Sequence, residues 1–280
     1  MVASQTLSDI FQINIRGINP KVQRQKIKFA MLKEYVTTCV NKIPFFIVTE
    51  THFSADIIDA EISIPDYNVI RADRATRKCG GVAIYHHYLL NMDCTETFSN
   101  DYCECVMTYN GQNSLIIIGL YRPPDTPSSV FKETLKKIQD FISKYPKDSI
   151  LMLGDFNLKF INWEKELIEK PINIKQNISS DERISSNMLL DFVNENMLTQ
   201  LVKENTRYDK SLLDLVLTNN EDIVFEVTVK LNDYKSDHDT VYCQIHLKDL
   251  NSNYKTDSPQ NTEKQPITDF PYLRFPLPEV

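Results

Sequence analysis

Ile150-Leu151-Met152-Leu153-Gly154-Asp155-Phe156-Asn157 passes from four consecutive large apolar residues into a carboxylate and a carboxamide. A short, unbroken apolar run is the pattern of a strand covered on both faces, as in the middle of a layered α/β fold. Polar side chains placed directly at its C-terminal end are held rigidly at a sheet edge, where a scaffold can fix a site. Asp155 and Asn157 flank Phe156 and project to the same side if the chain stays extended. Far downstream, Ser236-Asp237-His238 offers a carboxylate and a histidine before another strand-like run. Together these are the parts of a metal-assisted hydrolase of phosphate esters.

On either side of this run the chain reads mostly as strands. Ile10–Ile15, Phe45–Val48, Tyr67–Ile70, Val82–His86, Cys103–Tyr109 and Ser114–Tyr121 precede it, and Leu212–Leu217, Ile223–Val229 and Thr240–His246 follow. Gly80-Gly81 and Asn110-Gly111 mark turns. Helical spacing predicts helices over Lys21–Val40, with Ile27, Met31, Leu32, Tyr35, Val36 and Cys39 as its apolar positions, over Ser128–Ser143, capped by Ser128 or Ser129, and over Ser185–Asn196. Asn173–Asp181 reads as a surface loop. Strands with a few inserted helices suit two packed sheets with helices on the outer faces, an α/β (α+β) fold.

At 280 residues the chain reads as one large domain, residues 1–248, followed by a polar tail, 249–280, expected to be disordered. Apolar and charged contents of 42% and 25% are ordinary for a globular protein. A net charge of −7 and a pI near 5.3 argue against coating nucleic acid by bulk attraction but leave a nuclease open, because local clusters of Lys and Arg decide that. The six cysteines form no Cys-x-x-Cys pair and read as small buried hydrophobes in a reducing compartment. No signal peptide or membrane span is visible, so an intracellular protein with no membrane partner is expected.

Phosphodiester hydrolysis needs neutralised phosphate charge, an activated water, a stabilised leaving oxygen and in-line geometry. A hard cation such as Mg²⁺ would be held by carboxylate and amide oxygens. Glu50 ends a fully apolar strand, where an unpaired carboxylate is costly, and a metal accounts for it better than solvent does. Alone, Asn14 reads as a turn or cap and Tyr121 as core packing; their company promotes both. Asp214 interrupts the apolar run Leu212–Leu217 and needs a partner, for which His238 is the obvious choice. Asp237 reads equally as a turn residue or a metal support. Arg71, Arg74, Arg77 and Lys78 cluster before Gly80-Gly81, as a solvated loop or as a phosphate contact. His52, His86, His87 and His246 have no comparable partner in sequence and read as surface or core residues.

These residues resemble the endonuclease/exonuclease/phosphatase superfamily and, more narrowly, the apurinic-endonuclease-like endonuclease domain of non-LTR retrotransposons of the jockey-like and related clades. The resemblance runs from Ile13-Asn14 to about His246. Asn14, Thr49-Glu50-Thr51, Arg71-x-Asp73-Arg74 with Gly80–Tyr85, and Tyr121–Pro124 carry it. So do Gly154–Asn157 with Trp163, Leu198–Val202, Asn205-Thr206-Arg207, Ser211–Asn219 and Ser236-Asp237-His238. It implies a DNase I-like four-layer α/β/β/α sandwich with the site at one edge of the sheets. It further implies that Glu50 and Asn14 hold Mg²⁺, or Mn²⁺ in its place, with support from Asp237. Asp155 would handle the water or leaving group, Asn157 would contact phosphate, Tyr121 and His238 would bind the scissile phosphate, and Asp214 would orient His238. Arg74, Arg122 and Thr206 are expected on the substrate.

The expected activity is nicking of DNA to leave a 3′ hydroxyl, with DNA as partner and the nucleus as the place of action. No reverse transcriptase follows in this chain, which therefore resembles a detached or host-retained copy. Two other readings stand beside it. One is the same fold acting on an inositol-phosphate or lipid phosphodiester; the other is a catalytically inactive nucleic-acid-binding relic. Target sequence, abasic-site preference and oligomeric state are not legible in the sequence.

Overall fold

The structure is a computed structural model that describes residues 5–39, 41–75, 79–170, 177–208, 210–232 and 234–248. The expected tail, the basic positions Arg77 and Lys78, and the first four residues, 173–176, of the expected loop Asn173–Asp181 lie outside the described residues. The elements, in order, are β1 (Gln5–Asn14), α1 (Gln23–Thr38), β2 (Phe45–Thr49), β3 (Tyr67–Ala72), β4 (Val82–His87), β5 (Cys94–Ser99), β6 (Glu104–Asn110) and β7 (Leu115–Tyr121). They continue with α2 (Ser128–Ile142), β8 (Ser149–Asp155), β9 (Ile161–Asn162), β10 (Leu167–Ile168), α3 (Ser180–Glu195), β11 (Thr199–Gln200), β12 (Asp214–Thr218), β13 (Val224–Lys230) and β14 (Thr240–Lys248).

The strands form two six-stranded sheets, ordered β13-β14-β1-β2-β4-β3 and β11-β12-β8-β7-β6-β5, with β9 and β10 as a separate ribbon. Each sheet has one parallel pair, β1 with β2 and β7 with β8, among antiparallel neighbours. A parallel pair needs a crossover, and α1 and α2 supply the two. Alternation along the strands then fills three apolar layers. Phe11, Ile13, Phe46 and Val48 face Phe29, Leu32 and Val36 of α1. Ile10, Ile47, Ile84 and Val241 meet Ile117, Leu151, Leu153 and Val216 between the sheets. Ile116, Ile118, Ile150 and Met152 face Phe131, Ile138 and Phe141 of α2 and Leu189 and Phe192 of α3. The arrangement is the expected four-layer α/β/β/α sandwich. It explains why β2, β7 and β8 are apolar throughout: both of their faces are covered.

Local expectations were corrected in several places. Ile27, expected on the buried face of α1, is 55% exposed, and Phe29 takes that role. Pro127, rather than a serine, precedes α2, and the cap comes from outside: Ser128 N and Oγ donate to Asp181 Oδ1 at 2.9 and 2.6 Å. α3 begins five residues early, at Ser180, because Ser179 Oγ accepts from Glu182 N. The strand β5 was not expected at all. No described helix is long and apolar enough to cross a membrane.

Candidate active site

Register brings the polar strand ends together. In the second sheet Asp155, the last residue of β8, pairs with Tyr121 at the end of β7 and with Asp214 at the start of antiparallel β12. In the first sheet Asn14 ends β1 opposite Thr49 of β2, with Glu50 next in the chain. His238 lies two residues before β14, and a bridge to Arg207 holds it there. Ser236 tightens the join by donating through Oγ to the Asn14 carbonyl at 2.6 Å.

Gly154 makes the close approach at the β8 end possible. Its φ is +153°, and a Cβ there would run into the carbonyl of Leu120 on the neighbouring strand, so only glycine fits.

Asp155, Asp214 and Asn14 are fully buried, His238 is nearly so, and Glu50 sits at the rim with its side chain 17% exposed. His238 Nδ1 lies 2.7 Å from Asp214 Oδ2, and Nε2 lies 3.9 Å from Asp155 Oδ2. Burial works against a charged His238, but the Asp214 and Asp155 carboxylates outweigh it and push its pKa up to about 10. The ring is therefore an imidazolium near neutral pH, donating to Asp214 and presenting its second N–H toward Asp155. Asp155 moves upward, first through burial and then through the nearby Asp214 and Glu50 charges. For Glu50, burial is opposed by hydrogen bonds from His52 and Asn14 and by the nearby His238 charge, which together take its pKa down to about 2.

Asn14 links the two carboxylates by donating through Nδ2 to Glu50 Oε1 at 2.9 Å and to Asp155 Oδ2 at 2.8 Å. Its own Oδ1 accepts from Arg16 N at 3.2 Å. Asn14 thus acts as a bridge here, and its oxygen would meet a cation only after the amide turns over. Asn157 places its N–H 3.0 Å from Asp155 Oδ1 and donates through Nδ2 to the Arg122 carbonyl. The turn puts it in the left-handed region, φ 49°, which asparagine tolerates. Tyr121 is buried beside these groups; burial, then the Glu50 and Asp155 charges, pushes its hydroxyl pKa up and keeps it a neutral donor.

Four expected roles look different in place. Arg122 is fully buried and spends its guanidinium on the carbonyls of Phe156, Asn157 and Thr126, packed 5.1 Å over the Phe131 ring. It fixes the turn after β8 from within. Arg74 is 8% exposed and binds Glu104 through Nε and Nη2 at 2.5 and 2.8 Å, its guanidinium 5.5 Å over the Tyr121 ring. Thr206 Oγ1 accepts from the N–H groups of Leu213 and Asp214 at 3.1 and 3.0 Å, so it pins the start of β12. Asp237 is clamped between Arg16 and Arg207, at 2.9 and 2.8 Å, which occupy both of its oxygens.

Two contributors escaped the sequence reading. Gln12, fully buried on β1, donates to Asp214 Oδ1 at 3.0 Å from the opposite sheet. Its position two residues before Asn14 put it on the same face, and that was the only signal. His52 lies 3.4 Å from Glu50 Oε2.

Asp155, Asp214 and His238 offer ligand atoms all within 4.8 Å of one another. Yet Asp214 and His238 already satisfy each other, so this trio fits a hydrogen-bonded relay better than a closed metal site. Glu50, Asp155 and Asp214 gather hard oxygen donors around His238, a donor set that suits a divalent cation. Glu50 is the best placed to receive it, being ionised and at the rim.

The family model described as endonuclease-reverse transcriptase matches residues 115–242. No curated protein matches the sequence. Among solved structures, the endonuclease domain of TRAS1, a telomere-specific non-LTR retrotransposon, is similar at 14% identity, covering 87% of this chain and all of that one, with a TM-score of 0.57. A 3′ phosphatase, NExo, from Neisseria, bound to a product DNA hairpin, is similar at 15% identity over 85% of this chain and 99% of that one, TM-score 0.59. A mannosyl-6-phosphatase from Bacteroides thetaiotaomicron is similar at 12% identity over 84% and 98%, TM-score 0.53.

Proposed function

We propose that this chain, which has the fold of the endonuclease/exonuclease/phosphatase superfamily, is a divalent-metal-dependent DNA endonuclease that nicks one strand and leaves a 3′ hydroxyl. The observation that carries the reading is the Asp214–His238–Asp155 relay beside Glu50: a buried, charged imidazole facing a carboxylate, next to an ionised acid at the rim. The match over residues 115–242 to the endonuclease-reverse transcriptase family supports DNA as the substrate, and a nuclear location belongs to the same proposal.

Glu50, with Asp155 beside it, would hold Mg²⁺ or Mn²⁺; when bound, the cation neutralises phosphate charge as a Lewis acid. The remaining steps fall to the chain's own groups. His238, held by Asp214, donates its Nε2–H to a non-bridging oxygen of the scissile phosphate, joined by the Tyr121 hydroxyl. Asp155 orients a water and takes its proton as the water attacks phosphorus in line. The bond to the 3′ oxygen breaks, the phosphate stays on the 5′ side, and the released oxygen takes a proton from solvent water to become the hydroxyl. Asn157 keeps Asp155 turned toward this position.

The test is conversion of supercoiled plasmid to open circles by purified protein, with Mg²⁺ and with EDTA, beside His238→Ala and Asp155→Ala. Nicking is expected with Mg²⁺ only, and either substitution should abolish it without unfolding the protein. Full activity in either variant would sink the assignment. Turnover of a phosphomonoester without nicking would favour a phosphatase, a reading kept in view because the fold also serves a mannosyl-6-phosphatase. Binding of DNA without turnover of either substrate would mark an inactive relic.

A further inference from the structure

Glu50 and His52 both adopt left-handed backbone conformations, φ 52° and 55°, immediately after β2. Outliers of this kind persist only where the surroundings fix them, and they gather at functional sites. His52 is fixed from three directions. Its N–H donates to the Gly80 carbonyl at 2.8 Å, and its carbonyl accepts from Asn19 Nδ2 at 2.9 Å. Its ring meets Gln25, whose Nε2 lies 3.2 Å from Nδ1.

The Gln25 amide has a defined direction, because its Oε1 accepts from Asn19 N at 2.9 Å. Its NH₂ end therefore faces His52, and an amide nitrogen only donates. Nδ1 must accept, so the ring proton sits on Nε2, and Nε2 faces Glu50 Oε2 at 3.4 Å. The other Glu50 oxygen accepts from Asn14 at 2.9 Å. The carboxylate is thus held at both oxygens, one by each neighbour, with lone pairs to spare on each.

We propose that His52, oriented by Gln25, is a positioning residue that fixes the Glu50 carboxylate for a divalent cation. The inference rests on the site proposed above taking such a cation at Glu50. Partners of this outer kind typically change metal affinity by about 10–100-fold.

The test is calorimetric titration of the purified, DNA-free protein with Mg²⁺ and with Mn²⁺, comparing the parent with His52→Phe and His52→Gln. Phenylalanine keeps the ring shape and removes the donor; glutamine returns one N–H of similar reach. His52→Phe should weaken cation binding by about 10–100-fold with an unchanged near-UV spectrum, and His52→Gln should recover most of it. Parent-like binding by folded His52→Phe overturns the role of His52 and leaves the metal site standing. A parent that binds neither cation overturns both. Nitrogen-15 spectra of the parent's histidine rings decide the matter without any variant. His52 should be protonated at Nε2 with a bare Nδ1, and an Nδ1–H tautomer overturns the proposal.

Discussion

Asp214 Oδ2 lies 2.7 Å from His238 Nδ1 in a buried pair, and that contact sets a pH dependence. The folded-state pKa of His238, about 10, lies above the 6.5 of an unfolded chain. Its contribution to stability is therefore whole below about pH 6.5 and lost as pH rises toward 10. Denaturant midpoints measured in EDTA should fall across that window. Asp214→Asn removes the largest upward influence and should flatten the fall; an identical slope in the variant would contradict the pairing. Arg74 and Glu104 form a second buried pair. Burial pushes the Glu104 carboxyl up, against its hydrogen bonds from Arg74 and Gly81. Arg74→Met leaves that buried carboxylate without its partner and should cost about 3–5 kcal/mol by urea denaturation.

Among the elements, β8 does the most to assemble the site, because its last residue is shared between two neighbours in register. That register depends on Gly154. Gly154→Ala would set a methyl group against the Leu120 carbonyl in a backbone region that alanine avoids. A loss of about 1–3 kcal/mol or more is expected in denaturation, with activity falling alongside as β7 and β8 separate. A parent-like midpoint would show that the strands adjust freely. The turn after β8 is kept in place by Arg122 from within, a structural use of a residue that sequence alone suggested for substrate.

At the scale of the whole molecule, the site lies where two sheets meet: Asn14 and Glu50 come from one, Tyr121, Asp155 and Asp214 from the other, and Gln12 reaches across. A cation bound there couples to the stability of both. With Mg²⁺ at 100 times its dissociation constant, stabilisation is about 2.7 kcal/mol. For a domain of this size that raises the melting temperature by roughly 5–10 °C. Glu50→Ala should lose most of the shift in a calorimetric scan. An equal rise in the variant would place the cation elsewhere.

Local chemistry determined a great deal from sequence alone. Unbroken apolar runs at β2, β7 and β8 reported strands buried on both faces, because the pattern of burial is written directly into residue type. Asp155, Glu50 and Asp214 declared themselves as carboxylates set against apolar runs. Only the tertiary structure decided which of the polar groups face one another. Hydrogen-bond partners come from residues 202 positions apart, as with Gln12 and Asp214, and chain spacing carries no record of such a meeting. For the same reason Arg74, Arg122 and Asp237 looked available in sequence and proved engaged in the fold. His52 looked alone and proved to stand beside Glu50. Charge is a property of a residue, but whether that charge is free is a property of its neighbours.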